Sequence, residues 1–444
     1  MSAVQDAADT TSVAQKPVSR TRALIASSFG NTIETLDFAV YGLVAVNIGA
    51  TFFPATDQTA QLLTTFAVVA MTYFVRPLGA VIFGSLADRI GRKRVMVIVL
   101  LMMSAATMLV GVLPGYAAIG IAAPVLLIAL RALQSLSSGG EFGSISSYML
   151  EQSSPRRRGL TTSWVMSTSV LGFLLGLIII AVLHAVLTPA SMNSWGWRLP
   201  FLIAGPLGVI GLYIRSKLDE TQEFKELQAR GRVAKAPLVE VLKYWRDLLR
   251  TTGIAALIAS SFYMMIAFML TYVGTTAQLG AGTALASTLI GGTVAMVTTP
   301  FMGLLSDTVG RKWILVGASA SLLVLAVPLF ALIRSSAAGA MLGQAVFGLL
   351  VGCLISAAIA AMTEVFPTHV RATASSVSYM LGTAVFGGTA PLIATYLVKT
   401  TGSTLSPAYY LMGTALIGLV ASLTYPRRQH LADRERFAPA RAAG

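Results

Sequence analysis

Charged side chains are scarce in this sequence. Only 11% of the 444 residues are Asp, Glu, Lys or Arg, against about 25% in ordinary soluble domains. Hydrophobic residues make up 55% of the chain, and the mean hydropathy is +0.75. A soluble core cannot bury that much apolar surface, so the composition excludes an ordinary soluble domain and indicates a membrane protein.

Several kinds of chemistry lack their usual residues. Cys353 is the single cysteine, which excludes an intrachain disulfide and argues against redox chemistry. His, Cys and carboxylate residues do not recur at metal-ligand spacing, and no GxxxxGK[ST] phosphate loop is present. We therefore expect no metal, no cofactor and no ATP-driven step. Residues 1–20 lack an apolar core, so we expect no cleavable signal peptide.

Long apolar runs, by contrast, are abundant. A helix needs about 17–25 predominantly apolar residues to cross a bilayer, and twelve such runs are bounded by Gly, Pro or charge. The predicted fold class is an all-α membrane protein with twelve transmembrane helices. The predicted spans are 23–48, 61–83, 95–112, 118–149, 160–187, 199–214, 251–274, 283–302, 313–333, 338–362, 372–397 and 407–425.

The net charge of +14 follows the membrane topology. With the N-terminus inside, 27 of the 32 Lys and Arg residues fall in cytoplasmic segments, which is the positive-inside pattern. The basic excess therefore does not indicate a nucleic-acid partner. It predicts a multi-pass protein with both termini in the cytoplasm.

A basic loop occurs twice. GSLADRIGRKR at 84–94 lies between the second and third spans, and GLLSDTVGRK begins 219 positions later, at 303–312. The repeat predicts two pseudo-symmetric six-helix bundles with the same orientation in the membrane. The predicted segments are a cytoplasmic tail 1–22, an N-terminal bundle 23–214, a cytoplasmic linker 215–250, a C-terminal bundle 251–426 and a cytoplasmic tail 427–444.

A second pair of motifs supports the repeat. Glu151 precedes Arg158 by seven residues, and the same spacing recurs 213 positions later with Glu364 and Arg371. The linker 215–250 mixes nine basic with six acidic residues, which predicts an amphipathic helix lying on the inner membrane surface.

Four charged residues fall near the middle of predicted spans: Glu34, Asp37, Arg76 and Arg131. The i, i+3 spacing places the two acids on one helical face, and the rise per residue allows all four charges to share one layer. A charge left unpaired at the bilayer centre costs about 2.5–3.5 kcal/mol. The four must pair or face water, either as a permanent network that joins helices or as a transport site.

Further motifs accompany the basic loop in a fixed order. They are GNxxExxDF at 30–38, RPLG at 76–79, RxLQxxSxGGE at 131–141, WGWRxPF at 195–201, ExFPxxxR at 364–371 and FGGTAP at 386–391. The set resembles the metabolite:proton symporter family of the major facilitator superfamily, which includes carriers of oxoglutarate, citrate, shikimate and proline or betaine.

The resemblance implies a proton-coupled secondary active transporter of the bacterial inner membrane. We expect it to import a small organic acid with one, two or three carboxylates by alternating access, driven by the proton gradient. Its partners would be the organic anion, protons and the lipid bilayer, and we expect a monomer.

The candidate site residues follow from this expectation. A proton-coupled carrier needs a carboxylate that exchanges a proton for a salt bridge; Glu34 or Asp37 is the first candidate and Glu141 the next. A guanidinium offers a bidentate seat for a substrate carboxylate; Arg131 is favoured, and Arg76 is equally suited to bind substrate or an acid. Further cavity-lining candidates are Tyr41, Tyr263, Tyr379 and Gln134.

The repeated loops are candidates for a gate. The resemblance implies that Asp88 contacts Arg92 in its own loop and the start of a helix in the opposite half. An acid at a helix N-terminus gains about 0.3–1 kcal/mol from the helix dipole, enough to bias a two-state equilibrium. The predicted gating residues are Asp88, Arg92, Asp307, Arg311, Glu151, Arg158, Glu364 and Arg371.

Three alternatives remain. A carrier of zwitterionic solutes such as proline or betaine fits the same motifs, although the segment after Pro426 carries no heptads. An efflux carrier is disfavoured because the fifth span lacks a Gly-Pro pair. A sensor without transport would need an effector domain, and the longest soluble stretch is the linker.

Overall fold

The computed structural model describes residues 20–53 and 58–426. These residues form helices and turns with no strand. Short 3-10 helices lie at Gly196–Arg198, Leu242–Tyr244 and Thr368–Val370, and π-helices at Met264–Phe268, Tyr272–Thr276 and Thr383–Gly387. The α-helices are α1 (Arg20–Leu43), α2 (Ala45–Phe52), α3 (Gln58–Ile90), α4 (Arg92–Val112), α5 (Tyr116–Ile119), α6 (Ala122–Glu151), α7 (Arg158–Val186), α8 (Pro189–Ser194), α9 (Leu199–Ser216), α10 (Gln222–Ala229), α11 (Pro237–Val241), α12 (Trp245–Tyr263), α13 (Met269–Thr271), α14 (Ala281–Val309), α15 (Arg311–Ile333), α16 (Ala337–Glu364), α17 (Arg371–Gly382), α18 (Ala390–Thr401) and α19 (Ser406–Leu423).

The helices account for the predicted spans. Ten helical segments of the described chain are long and apolar enough to cross a membrane, and α1 and α2, bent by 69° at their junction, pass the same test when they are taken together. The remaining predicted span, 61–83, falls within α3. The predicted tail 427–444 and residues 1–19 of the other tail lie outside the described residues.

The same helix pairs pack in both halves of the chain. In the first half α3 packs on α6, α4 on α9 and α1 on α7; in the second, α14 packs on α16, α15 on α19 and α12 on α17. This correspondence is what the internal repeat predicts. The halves meet where α17 lies against α3 and α6, and where α7 lies against α14 and α16.

The two basic loops are almost entirely helical. Helix α3 continues to Ile90 and α4 begins at Arg92, so the connection is Gly91 alone. Gly91 has a φ of 106° and its counterpart Gly310 a φ of 99°, a conformation that residues with a Cβ rarely adopt. Each glycine therefore turns the chain sharply between two helices, at the end of the fold that we call the inner side.

Close packing fixes the position of α3 on α6. A Cβ atom on Gly139 would lie 2.1 Å from the backbone oxygen of Arg76, and one on Gly348 would lie 2.1 Å from the backbone oxygen of Gly291 in the second half. Only glycine permits these approaches. In the first half the contact holds the backbone of Arg76 against α6.

The linker differs from its prediction. It does not form one amphipathic helix on the membrane surface, because a left-handed Gly231 (φ 63°) and Pro237 at the start of α11 interrupt it. Helix α10 packs against the turn Thr368–Val370, and α11 packs against α3, α17 and that turn. The linker therefore covers inner ends of both halves.

Candidate functional site

A cavity lies between the two halves. Helices α1, α3, α6 and α7 line one side, and α12, α16 and α17 line the other. Towards the inner side the rings of Phe142 and Tyr379 stack with their centroids 3.7 Å apart. Towards the outer side Phe38, Tyr73 and Tyr263 meet edge to face, with centroids 5.5–5.8 Å apart. Aromatic side chains from both halves thus bound the cavity at both ends.

Two charges face this cavity. Among the described residues that line it, Glu34 is the only acid and Arg76 the only base. The Arg76 guanidinium lies 4.9 Å from the ring centroid of Tyr73 and 5.5 Å from that of Phe38. In the described chain it forms no salt bridge, and its Nε has no hydrogen-bond partner. The guanidinium can therefore receive a ligand carboxylate.

Glu34 is held differently from Arg76. The hydroxyl of Ser138 on α6 donates a hydrogen bond to its carboxylate, and the charges of Glu141, Arg76 and Asp37 lie close enough to act on it. Its side chain is half-buried. Glu34 is thus a carboxylate with access to the cavity and without a guanidinium partner at salt-bridge distance in the described chain.

Asp37 belongs to a separate network. Arg131 donates to Asp37 at 3.0 Å and to Gln134 at 2.8 Å, and the Gln134 amide donates to Asp37 at 3.3 Å and to Thr107 at 2.5 Å. The guanidinium of Arg131 lies 3.9 Å from the ring centroid of Tyr41. These side chains are buried in the first half and do not line the described cavity. The expected single layer of four charges is therefore divided into two sets.

Glu141 is also paired inside the first half. Arg215 donates to Glu141 at 2.5 Å and to the backbone oxygen of Met96 at 2.6 Å. Both charged side chains are fully buried. Arg215, which the sequence assigned to the linker, lies in α9. The ion pair therefore joins α6 to α9 beside the cavity and not within it.

Two aspartates of the repeated loop join the halves at the inner side. Asp88 accepts hydrogen bonds from the backbone N–H groups of Ala372 at 3.2 Å and Thr373 at 2.9 Å, at the start of α17. Asp307 accepts from Gly159 at 2.9 Å and from the next N–H group at 3.0 Å, at the start of α7. Each carboxylate satisfies free N–H groups and complements the dipole of a helix in the other half. The expected contacts of Asp88 are present, including its pair with Arg92 at 3.3 Å.

The Glu and Arg residues of the repeated motifs form salt bridges at the inner side, both between the halves and within each half. Glu151 lies 3.3 Å from Arg92 and 3.1 Å from Arg371, so it links the first half to the second. In the second half Arg311 pairs with Asp307 at 2.8 Å and with Glu364 at 3.2 Å. The predicted gating side chains thus form two clusters at the inner ends of the helices, one around Glu151 and one around Arg311.

Linker residues that the sequence reading missed join the cluster around Glu151. Glu223 on α10 pairs with Arg371 at 2.7 Å and with Arg158 at 3.8 Å, one from each half. Phe224 is buried with its ring centroid 4.8 Å from the Arg92 guanidinium, and Thr221 donates to Glu151 at 2.5 Å. The available signal was an acidic and aromatic cluster, ETQEF at 220–224, in an otherwise basic linker.

Glu220 attaches the same linker segment to the first half. Its carboxylate accepts hydrogen bonds from the backbone N–H groups of Arg92 at 3.1 Å and Lys93 at 3.2 Å, which are free at the start of α4. Burial raises the pKa of the Glu220 carboxyl, and these donors oppose the rise. The linker is therefore bonded to a helix terminus of the first half and to charged residues of both.

The geometry defines a class of molecule: two repeated helical halves, a central cavity faced by two charged side chains, and an inner end held closed by pairs across the halves. The family model described as Major Facilitator Superfamily matches residues 27–383 and 273–443. The chain belongs to the Major Facilitator Superfamily. It is an all-α, multi-pass membrane transporter and not an enzyme.

Curated relatives extend this result. The chain is 35% identical over 416 residues to the proline/betaine transporter of Escherichia coli (strain K12), an alignment that covers 91% of this chain and 83% of the relative. It is 32% identical over 415 residues to the citrate-proton symporter of Klebsiella pneumoniae, covering 93% of each. Among solved structures, the proton:xylose symporter XylE bound to 6-bromo-6-deoxy-D-glucose aligns with a TM-score of 0.73 over 95% of this chain and 96% of its own, at 14% identity. At that identity the likeness shows the fold alone.

Proposed function

We propose that this chain is a proton-coupled symporter that imports a small organic solute bearing one carboxylate. The observation that carries the proposal is the pair of charges facing the cavity. Arg76 has no salt bridge within the described chain and seats the carboxylate, while Glu34 carries the proton. Relatives named proline/betaine transporter and citrate-proton symporter support solute transport and proton coupling.

The charge balance of the closed cavity favours a substrate with one carboxylate. Burying a net charge in a closed cavity costs far more than burying a balanced set. Arg76, a protonated Glu34 and one substrate carboxylate sum to zero. A second or third carboxylate would leave the closed site negative, because Arg131 already binds Asp37 and Arg215 already binds Glu141. The proposed cycle moves one proton with one monoanion and no net charge.

Glu34 is favoured over Asp37 as the proton carrier. A carrier must exchange protons with water or substrate in the cavity, and Glu34 lines the cavity whereas Asp37 does not. Asp37 pairs with Arg131, which positions α6 against α1. Glu141, bound to Arg215, serves the same structural purpose beside the cavity, where it joins α6 to α9.

A zwitterionic solute is the second candidate. Two observations favour it: the 35% identity to a proline/betaine transporter and the aromatic rings of Phe38, Phe262 and Tyr263 at the cavity. Aromatic faces attract cationic groups such as quaternary ammonium. In this case the proton carried by Glu34 would accompany a solute of no net charge.

The experiment that tests the proposal is uptake into proteoliposomes with imposed gradients. Lactate, succinate, citrate, proline and betaine are offered with a pH gradient, with and without a membrane potential set by potassium and valinomycin. We expect lactate uptake to follow the pH gradient and to ignore the potential. Uptake of proline or betaine that accelerates with an inside-negative potential would instead support the zwitterion candidate, because a proton then moves without an anion. Uptake of none of these solutes would exclude both.

The cellular setting belongs to the same proposal. The charge distribution supports a bacterial inner membrane location with both termini and the linker in the cytoplasm. The cavity lies within one chain, which supports a monomer as the working unit, driven by the proton gradient without a cofactor.

A further inference from the structure

The two halves give the cavity different chemistry. The first half supplies both charges, Glu34 and Arg76, together with Asn31, Ser146 and Ser169. The second half supplies an almost entirely hydrocarbon surface, interrupted only by two tyrosines. Its apolar lining residues are Ile258, Ala259, Phe262, Ile355, Ile359 and Met380.

The uncharged polar side chains that the first half contributes to the cavity already form hydrogen bonds within the protein. The Asn31 amide donates to Ser169 and to the backbone oxygen of Val165, both at 2.5 Å, and Ser146 donates to a backbone oxygen of its own helix at 2.6 Å. The strong interactions left for a ligand therefore concentrate on Glu34 and Arg76, at one end of a bound molecule.

The hydrocarbon surface of the second half favours a bound molecule whose other end, away from Glu34 and Arg76, is apolar. Each methylene that moves from water into an apolar site gains about 0.8 kcal/mol, which is about fourfold in affinity. A carboxylate placed against Ile258, Ile355, Ile359 and Met380 loses its hydration and finds no hydrogen-bond donor on these side chains. The lining isoleucines and Met380 are each at most 3% exposed, so the wall is a packed surface.

We infer that the substrate is an amphipathic monocarboxylate, whose carboxylate binds Arg76 and whose uncharged apolar body lies against Ile258, Ile355, Ile359 and Met380. The inference rests on the proposed function and narrows its substrate class. It excludes solutes with a second charged group at the end opposite the carboxylate. Among acids that share the same carboxylate end, it predicts higher affinity for those with a longer hydrocarbon chain.

The test uses 2-hydroxy acids that share one head and differ in the tail. The purified full-length chain in proteoliposomes takes up labelled lactate, driven by a pH gradient. Four unlabelled acids are titrated as competitors of this uptake: lactate, 2-hydroxybutanoate, 2-hydroxypentanoate and 2-hydroxyglutarate. We expect about fourfold tighter inhibition for each added methylene. We expect 2-hydroxyglutarate, with a carboxylate where 2-hydroxypentanoate ends in a methyl group, to inhibit at least tenfold more weakly than 2-hydroxypentanoate.

Variants of the apolar lining residues test whether these residues cause the preference for longer hydrocarbon chains. Ile359→Asn should weaken inhibition by 2-hydroxypentanoate about tenfold, while inhibition by lactate should change less than threefold. Met380→Asn provides a second variant should the first fail to fold. The matched control is Leu342→Asn on the same helix, where the side chain is 59% exposed on the outside of the bundle; it should leave the ranking of acids unchanged.

The outcomes separate the two proposals. If 2-hydroxyglutarate and lactate inhibit as well as 2-hydroxypentanoate, or if both wall variants weaken all acids equally, the amphipathic substrate class is wrong while proton-coupled uptake stands. If no acid inhibits or is taken up with protons, the proposed function itself fails, and the inference fails with it.

Discussion

Arg76 combines burial with the absence of an acidic partner in the described chain, and this combination makes it the most informative single residue. It is 9% exposed and lies against two aromatic rings. A buried guanidinium without a carboxylate is costly unless a ligand supplies one. Under the proposed function, Arg76 would therefore couple substrate binding to the stability of the closed cavity.

Replacing Arg76 by lysine tests that coupling. The ammonium keeps the charge but loses the bidentate fork, and a charge-assisted hydrogen bond contributes about 1.5–3 kcal/mol. We expect the KM for uptake to rise at least tenfold in Arg76→Lys. The control is Arg198→Lys, whose side chain bonds backbone oxygens of Gly111 and Leu113 away from the cavity. An unchanged KM in Arg76→Lys would remove Arg76 from the binding site.

Glu34 and Asp37 are distinguished by a pair of conservative variants. Glu34→Gln should abolish uphill uptake driven by a pH gradient and preserve exchange of internal for external substrate, because exchange needs no net protonation cycle. Asp37→Asn should weaken both modes together, since it leaves the buried charge of Arg131 without its partner. Both modes are measured side by side in proteoliposomes. Full gradient-driven uptake by Glu34→Gln would move the proton site elsewhere, with Asp37 the next candidate.

At the scale of the element, the helix starts at α7 and α17 are capped from the opposite half. Asp88→Asn keeps a hydrogen-bond acceptor for Thr373 but removes the charge that complements the dipole of α17. We expect the variant to shift towards an inward-open state, with slower transport and retained substrate binding. Asp307→Asn, its counterpart in the repeat, should act in the same direction. Unchanged transport in both would leave the aspartates with a local role in the turn.

The linker offers a second test at this scale. Glu223 pairs with an arginine of each half, whereas Glu226, one turn later, pairs with Arg230 at the surface, where both side chains are 65% exposed. Glu223→Gln should loosen the inner closure and raise thiol labelling of a cysteine placed at Ser146, measured in inside-out vesicles in a Cys353→Ser background. Glu226→Gln is the matched control and should change nothing, because exposed ion pairs contribute little. Equal labelling in the two variants would show that the linker does not hold the gate.

At the scale of the whole molecule, topology is the property that labelling can decide. We expect cysteines at Ser2, Arg230 and Gly444 to resist an impermeant thiol reagent in intact cells, and a cysteine at Asp57 to react. Of these positions, Arg230 lies in the described part of the chain, directly after α10. Labelling of position 230 from outside would reverse the orientation and with it the assignment of the inner side.

Several features of the molecule could be predicted from the order of residues. The spans, the all-α fold and the repeat follow from apolar run length and from a loop repeated 219 positions apart, because a bilayer allows few ways to satisfy backbone hydrogen bonds. The contact of Asp88 with the start of a helix in the opposite half followed from the family resemblance. The linker was predicted wrongly, because mixed charge does not reveal that its acids face arginines of the two halves.

The partners of the central charges were decided only by the tertiary structure. Spacing places Glu34 and Asp37 on one face of α1, yet Glu34 meets Ser138 and the cavity while Asp37 meets Arg131. Periodicity fixes which face of a helix a residue occupies, but not how far a neighbouring helix is rotated or shifted along its axis. That rotation and shift are set by close contacts such as Gly139 on the backbone of Arg76, and they decide which charge faces substrate and which is buried in a permanent pair.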